Sequence, residues 1–220
     1  MSGKRRRLRS ISDSHADAVL DLSWNKPNKH ILASCSADRT AKVWDLNKAR
    51  CVYSLSHHSD KVQCVEWSPV EPTMLLTGSY DRTTCLLDSR RPSATLAWQF
   101  LTDVECLKWN PHRPEQFVVS CEDGKYYCLD ARSPGQHLYS VDAHTGPACS
   151  LAFSYFIPGC LVTSGVDMCV KGPVYAVGFS PDSPFIIAAG GQKGKLTTWN
   201  LADHSAVVSQ FKERAKSYYE

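Results

Sequence analysis

Cysteine pairs at metal-site or redox-site spacing are missing from this chain. Ten cysteines are present, yet none forms a Cys-x-x-Cys unit, so neither a zinc ribbon nor a thioredoxin-type centre has a basis. Half of them (Cys64, Cys85, Cys106, Cys128, Cys169) stand inside apolar runs, where a thiol serves as a small buried hydrophobe. That usage, together with the lack of a secretory signal pattern, implies a reducing compartment. Long apolar runs are missing too. None nears the ~18 residues that cross a bilayer, so no membrane partner is expected. Charge of one sign is scarce once its location is considered. Five of the 25 Lys and Arg fall in residues 1–10, where no acid occurs, and the remainder sets twenty cations against 22 acids. The bulk of the chain is near neutral and unlike a nucleic-acid-binding surface.

What is present is a recurring hexapeptide. Val19-Leu20-Asp21-Leu22-Ser23-Trp24 returns as Val62–Trp67 and Val104–Trp109, and with Phe in place of Trp at Ala148–Phe153 and Val174–Phe179. The closing aromatic recurs at 24, 67, 109, 153 and 179, at intervals of 43, 42, 44 and 26. A fixed period of this size marks a repeat protein. Within the first unit, Val19–Trp24 alternates apolar and polar as a strand with one buried face does. A turn at Asn25–Lys29 leads to a second strand at Ile31–Ser34, and Ala37-Asp38-Arg39-Thr40 makes a tight turn before a third at Ala41–Asp45. The Asp of that turn can bond nearby backbone N–H groups. Cys51–Leu55 reads as a fourth strand. Four short strands per ~43 residues, the third ending Trp-Asp, describe one blade of a β-propeller.

The pattern resembles the WD40 repeat family over roughly residues 13–210. His15-x-Asp17-Ala18-Val19-Leu20-Asp21-Leu22-Ser23-Trp24-Asn25, Gly78-Ser79-Tyr80-Asp81-Arg82 and Leu129-Asp130-Ala131-Arg132-Ser133 narrow the likeness to the periodic tryptophan protein family, most strongly over 13–170. The fold expected is all-β, a partial WD40-type propeller of about four to five blades, each a four-stranded antiparallel sheet. The units fall at about 13–56, 57–100, 101–142, 143–171 (truncated) and 173–210, after a basic flexible arm over 1–12 and before a tail over 211–220. Ala206–Val208 is read as the last blade's fourth strand.

The resemblance implies a buried hydrogen-bonded set in each blade: His15, Ser34, Asp38 and Trp44 in the first; His58, Thr77 and Asp81 in the second, where Leu87 cannot donate; Ser120 and Asp123 in the third, where Thr102-Asp103 replaces the His; His144, Thr163 and Asp167 in the fourth. Read as Ser-His-Asp catalysis these residues fail, because the set recurs as a scaffold feature does and lacks a nucleophile-elbow context. No enzyme activity, small-molecule substrate, metal or cofactor is expected. Gly190–Lys195 mimics a phosphate loop but has Ala189 where its first Gly belongs and Leu196 where Ser or Thr must stand. His57-His58 has no third ligand at usable spacing. Trp24, Trp67 and Trp109 are read as core aromatics between sheets, and Trp98, which breaks the period, as a partly exposed contact.

Function is therefore expected in loops on a rigid frame. Arg39, Lys61, Tyr80 and Arg82 are the candidate partner contacts, since Arg and Tyr are favoured anchors. Lys4, Arg5, Arg6, Arg7 and Arg9 form a candidate nuclear-import signal or RNA tether, and Ser10 and Ser12 are candidate phosphosites. Resemblance to the periodic tryptophan proteins implies a nuclear, nucleolar scaffold in ribosome biogenesis and rRNA transcription or processing, with chromatin or pre-ribosomal proteins as partners. The alternatives are an adaptor, ubiquitin-ligase or histone-binding subunit of another complex, and nucleic-acid binding through the basic arm. The short interval falls at Lys171-Gly172, where the fourth unit is about 17 residues short of the others. One strand end, the Trp-Asp and the next strand are lost together, which reads as a skipped segment in a fragment or shortened isoform of a longer chain. The competing reading is an open arc completed by a partner or by self-association.

Overall fold

A computed structural model describes residues 13–167 and 173–215. The first sheet contains β1 (Val19–Trp24), β2 (Ile31–Ser36), β3 (Ala41–Asp45) and β4 (Arg50–Leu55), antiparallel and in sequence order. The second repeats the meander with β5 (Val62–Trp67), β6 (Met74–Ser79), β7 (Thr83–Asp88) and β8 (Arg91–Gln99), and the third with β9 (Val104–Trp109), β10 (Gln116–Cys121), β11 (Lys125–Asp130) and β12 (His137–Asp142). The fourth has two strands among the described residues, β13 (Ser150–Phe153) and β14 (Leu161–Ser164). The fifth has three, β15 (Val174–Phe179), β16 (Ile186–Gly191) and β17 (Leu196–Asn200). The first strands pack on one another in succession, β1 on β5, β5 on β9, β9 on β13 and β13 on β15. The sheets are thus blades of a β-propeller.

Registers repeat as well. Each of β1, β5, β9 and β15 carries a bulge near its start, where Leu20, Gln63, Glu105 and Tyr175 fall out of the pairing. A bulge adds twist and re-aims one side chain. At Glu105 the effect is direct: its carboxylate accepts from the Tyr80 hydroxyl of the preceding blade at 3.3 Å.

Two forces join the blades. One is apolar burial between sheets: Ala33, Cys35 and Val43 meet Val62, Val65, Trp67 and Leu75, and Leu76 and Leu86 meet Val104, Leu107, Trp109 and Phe117. Each fully buried side chain of this size contributes about 1.5–3 kcal/mol. The other is a set of polar stitches. Asp21 Oδ2 accepts from Val65 N at 3.1 Å, Ser23 Oγ from Trp67 N at 3.0 Å and Glu66 Oε2 from Trp109 N at 2.6 Å. The N–H of the inner-strand Trp is thereby satisfied by the blade before it. Glu66 also pairs with Lys108 Nζ at 3.4 Å. Burial raises its pKa, opposed by that ammonium.

Among the described residues no sheet covers the outer faces of the first and fifth sheets. Trp67 and Trp109 are 4% and 6% exposed, whereas Trp24, at the same position of the first blade, is 56% exposed, with Val19 at 51% and Leu22 at 58%. The reading of Trp24 as a core aromatic is corrected: among the described residues no sheet packs over it. At the other end, Gly190 matches Gly78 in register. A Cβ on Gly78 would lie 2.6 Å from Val104 Cγ1, whereas one on Gly190 meets nothing within 4 Å.

Two further expectations change, those for Ala206–Val208 and for Trp98. Ala206–Val208 belongs to a helix, α1 (Ser205–Ala215), not a strand. Spacing three and four apart lets Val207 and Val208 share a half-buried face with Phe211, and Phe211 packs with Leu201 against Ile157, Cys160 and Phe185. Trp98 is buried against Phe117, and its Nε1 donates to Ser133 O at 3.1 Å. In β8 it is a core residue, because the long outer strand folds it back over the third blade. Gly190–Lys195 spans the end of β16 and a short 3-10 turn before β17. Between the two-stranded fourth sheet and β15–β17 lies an apolar cavity of about 180 Å³, lined by Val162, Val174, Val177, Ile187 and Trp199.

Candidate functional site

The turn between the second and third strands organises one end of the propeller. In the first blade Ser36 Oγ accepts from Asp38 N at 3.0 Å. Asp38 Oδ1 in turn accepts from Thr40 N at 3.0 Å and from the Thr40 hydroxyl at 2.6 Å. Asp38 Oδ2 accepts from His15 Nδ1 and Ala16 N, both at 2.9 Å. His15 Nε2 lies 2.7 Å from Ser34 Oγ, which accepts from Trp44 Nε1 at 2.8 Å. A carboxylate only accepts and an indole N–H only donates. With a neutral imidazole the proton order is Trp44 to Ser34, Ser34 to His15 Nε2, His15 Nδ1 to Asp38.

The second blade reproduces this with Thr77 for Ser34: His58 Nδ1 to Asp81 at 2.9 Å, His58 Nε2 to Thr77 Oγ1 at 2.8 Å, and Ser59 N, Thr83 N and Thr83 Oγ1 all on Asp81. Leu87 fills the Trp position and is buried. In the fourth blade His144 reaches Asp167 at 2.8 Å and Thr163 at 3.0 Å. The third blade differs. With no His available, Ser120 Oγ donates to Ala148 O at 2.7 Å, while Asp123 accepts from Lys125 N at 3.1 Å. The structure does not bring Ser120 and Asp123 together through an imidazole. Thr40, Thr83, Ser36 and Ser79 were missed from the sequence, although each pair recurs one period apart. The histidines sit inside these bonds, with no open nucleophile beside them. Among the described residues no group of three or more His, Cys, Asp or Glu is placed to hold a metal, and no helix is long and apolar enough to cross a membrane.

These bonds tie stability to pH. Burial works against the Asp81 carboxylate, but the Thr83 hydroxyl, the Ser59 amide and His58 hold its pKa below the ordinary range. Asp38 is likewise opposed by burial and held well below that range by Thr40, Ala16 and His15. Burial pushes His58 down, against the pull of Asp81. All three groups bind fewer protons folded than unfolded, so their contribution is lost as pH falls. Glu66 and Glu105, raised by burial, act with the opposite sign near their own range. The thermal midpoint is expected to fall below the ordinary histidine pKa of about 6.5 and more steeply below about 4. An Asp81→Asn variant, followed by circular dichroism from neutral to acid pH, should show a shallower acid limb; an unchanged limb would refute the assignment.

The same turns form a rim. Ala37 N donates to Ala18 O, Tyr80 N to Lys61 O and Glu122 N to Asp103 O, so the turns of three consecutive blades lie beside the loops that enter them. Arg39, Lys61 and Arg82 are exposed there, while Tyr80 is half-buried by its bond to Glu105. Arg39 and Arg82 both have φ of 67°, and the matching turns of the third and fifth blades place Gly124 at 81° and Gly194 at 67°. Positive φ is free for glycine and costs other residues about 1 kcal/mol. Two blades therefore keep an arginine where glycine is the unstrained choice. Lys4, Arg5, Arg6, Arg7, Arg9, Ser10 and Ser12 lie outside the described residues, as does the Lys171-Gly172 junction.

Repeated antiparallel blades, the His–Asp bonds and the Trp44–Ser34 link define a WD40-type propeller. The family described as "WD domain, G-beta repeat" matches residues 6–45, 49–88 and 170–200, just over half of the chain, and the protein belongs to it. Among individual proteins, the chain is 30% identical to the Periodic tryptophan protein 1 homolog of Drosophila melanogaster over 221 residues, which cover 90% of this chain and 48% of that protein. It is 46% identical over 82 residues to Periodic tryptophan protein 1 of Saccharomyces cerevisiae, covering 36% of this chain and 14% of that one. A shorter match, 44% over 62 residues, joins it to the Ribosome biogenesis protein WDR12 homolog of Nematostella vectensis, covering 28% and 15%. The chain thus spans about half the length of the Drosophila relative.

Proposed function

We propose that the protein is a non-catalytic WD40 scaffold of ribosome biogenesis. It works in the nucleus, chiefly the nucleolus, where it holds chromatin or pre-ribosomal proteins during rRNA transcription or processing. The observation that carries this reading is the similarity to the Drosophila periodic tryptophan protein along 90% of the chain. The name of the WDR12 relative supports the process. The contact surface is the rim bearing Arg39, Lys61, Tyr80 and Arg82. The two arginines are held at positive φ, and arginine and tyrosine are the side chains that most often anchor protein interfaces.

Tagged protein purified from cells, with its co-purifying proteins identified by mass spectrometry, tests the proposal. Ribosome assembly factors are expected, and recovery of an unrelated assembly in their place would overturn it. The double variant Arg39→Gly/Arg82→Gly localises the surface. Its stability should be unchanged or raised by up to about 1 kcal/mol, since glycine relieves the strain. Recovery of partners should fall by about tenfold or more, the loss of one anchor's worth of binding. Full recovery would place the contacts elsewhere.

A further inference from the structure

The repeat is incomplete inside the chain, at the fourth sheet. Seven residues carry the chain from Asp167 to Val174, where 23 carry it from Asp81 to Val104. The third and fourth strands of a full blade therefore have no residues to form them, and among the described residues no strand pairs with the second edge of β14. The second blade shows what a third strand supplies. Val162 and Ser164 stand opposite Ala152 and Ser150 in β13, as Leu76 and Gly78 stand opposite Glu66 and Cys64 in β5. There β7 sets Leu86 beside Leu76 and Thr84 beside Gly78, and Leu86 packs in one cluster with Leu107, Phe117 and Leu129 of the next sheet. In the fourth blade the cavity of about 180 Å³ takes the place of that leucine. It lies between Val162 and Ser164 on one side and Val177, Ile187 and Trp199 on the other, which match Leu107, Phe117 and Leu129 in register. Ser164 is 4% exposed, yet its Oγ has no hydrogen-bond partner among the described residues, an uncommon state for a buried hydroxyl. Thr84 is fully buried with its hydroxyl unpaired as well, because it stands opposite Gly78, which has no side chain to offer.

We infer that the fourth blade receives an extended segment of a partner protein, which pairs antiparallel with β14 as its third strand. The register sets the chemistry of that segment. A Ser or Thr lies opposite Ser164 and pairs the two hydroxyls, a favourable cross-strand contact. An aliphatic residue two positions later lies opposite Val162 and fills the cavity. Apolar cavities of roughly 150 Å³ hold a benzene ring, so this one admits a leucine side chain. Backbone hydrogen bonds along the sheet edge give affinity and the two side chains give selectivity, as where a sheet gains a strand from another chain. The chain's own arm does not fit, since no Ser or Thr in residues 1–12 is followed two positions later by an aliphatic residue. The strands of a second copy are already paired within its sheets. The site is separate from the rim of Arg39 and Arg82 and does not depend on the process in which the protein works.

Fluorescence anisotropy of a labelled peptide copying residues 82–89, with Cys85→Ser, titrated with the full chain tests the inference. The peptide carries Thr84 and Leu86 at the required spacing and should bind saturably. Leu86→Asp in the peptide should weaken binding by about tenfold or more, since it puts a charge into the cavity. Ala189→Leu in the protein fills the same space and should weaken it as much, with an unchanged circular dichroism spectrum. Ser164→Ala should weaken it by about fivefold, and Thr84→Val in the peptide should then add no further loss, because the hydroxyls act as a pair. Ser164→Ala keeps the cavity, so it remains decisive if Ala189→Leu fails to fold. Absence of saturable binding overturns the inference, as does equal affinity for the Leu86→Asp peptide or a Ser164→Ala protein that binds like wild type. Binding seen only after removal of residues 1–12 would assign the edge to the chain's own arm. A wild-type dimer that the peptide dissociates would assign it to a second copy. Either result also overturns the inference.

Discussion

Replacing Asp81 with Ala is expected to cost about 3–5 kcal/mol, the range found when a buried charged partner is removed. Its side chain is 9% exposed. One carboxylate accepts from the His58 ring, the Ser59 amide, the Thr83 amide and the Thr83 hydroxyl. Removal leaves the buried His58 ring with only the Thr83 hydroxyl at 3.2 Å beside Nδ1, and weakening the bond of a buried donor costs about 1–3 kcal/mol. A domain is typically stable by only 5–15 kcal/mol, so the second blade should open well before wild type in urea. Asp123→Ala is the internal comparison. With no imidazole to hold, and only the Lys125 amide and the Tyr127 hydroxyl as partners, it should cost about 1–2 kcal/mol. Equal urea midpoints for the two variants would show that the His–Asp bond contributes nothing beyond the turn itself.

A single methyl group on Gly124 should be at least as damaging. Gly124 has φ of 81°, and a Cβ there would fall 2.1 Å from the His144 carbonyl oxygen and 2.8 Å from that of Gly146. The obstacle is backbone, which has no rotamer to yield. The same oxygen is fixed in place because Gly124 O accepts from Ala143 N and His144 N. This glycine therefore couples the third blade's turn to the loop that carries the fourth blade's histidine. Gly124→Ala is expected to cost about 3 kcal/mol or more, combining positive-φ strain with overpacking. Arg39 and Arg82 show that positive φ alone is tolerated in the matching turns. A Gly124→Ala protein with wild-type thermal stability would mean that the third and fourth blades are not locked together at this point.

Much of the blade is written locally, which is why it can be read from the sequence. Alternation in Val62–Trp67 sets a strand with one buried face, and the Ser-x-Asp-x-Thr order of the turns caps its own amides. Both are short-range effects that reappear wherever the residues do. The His-to-Asp spacing of 23 residues, constant at 15–38, 58–81 and 144–167, carries the hydrogen-bonded sets in the same way. The stitches between blades resist such reading. Ser23 and Glu66 do one job, accepting from the next Trp amide, but share no chemistry that a period search would align. Trp98 and Val207 fail for a related reason. Trp98 breaks the period and Val207 lies in a strand-like stretch, and in both cases the element that buries the side chain is distant in sequence.

The sequence by itself determined the repeat, the strand order and the polar residues that close each turn, because those depend on residues within one period. Tertiary structure alone decided which copies of the repeat are buried. Trp24, Trp67 and Trp109 end the same strand, yet only the last two have a sheet behind them. Burial is a property of the neighbour, and a strand's own residues do not say which sheet will lie behind it.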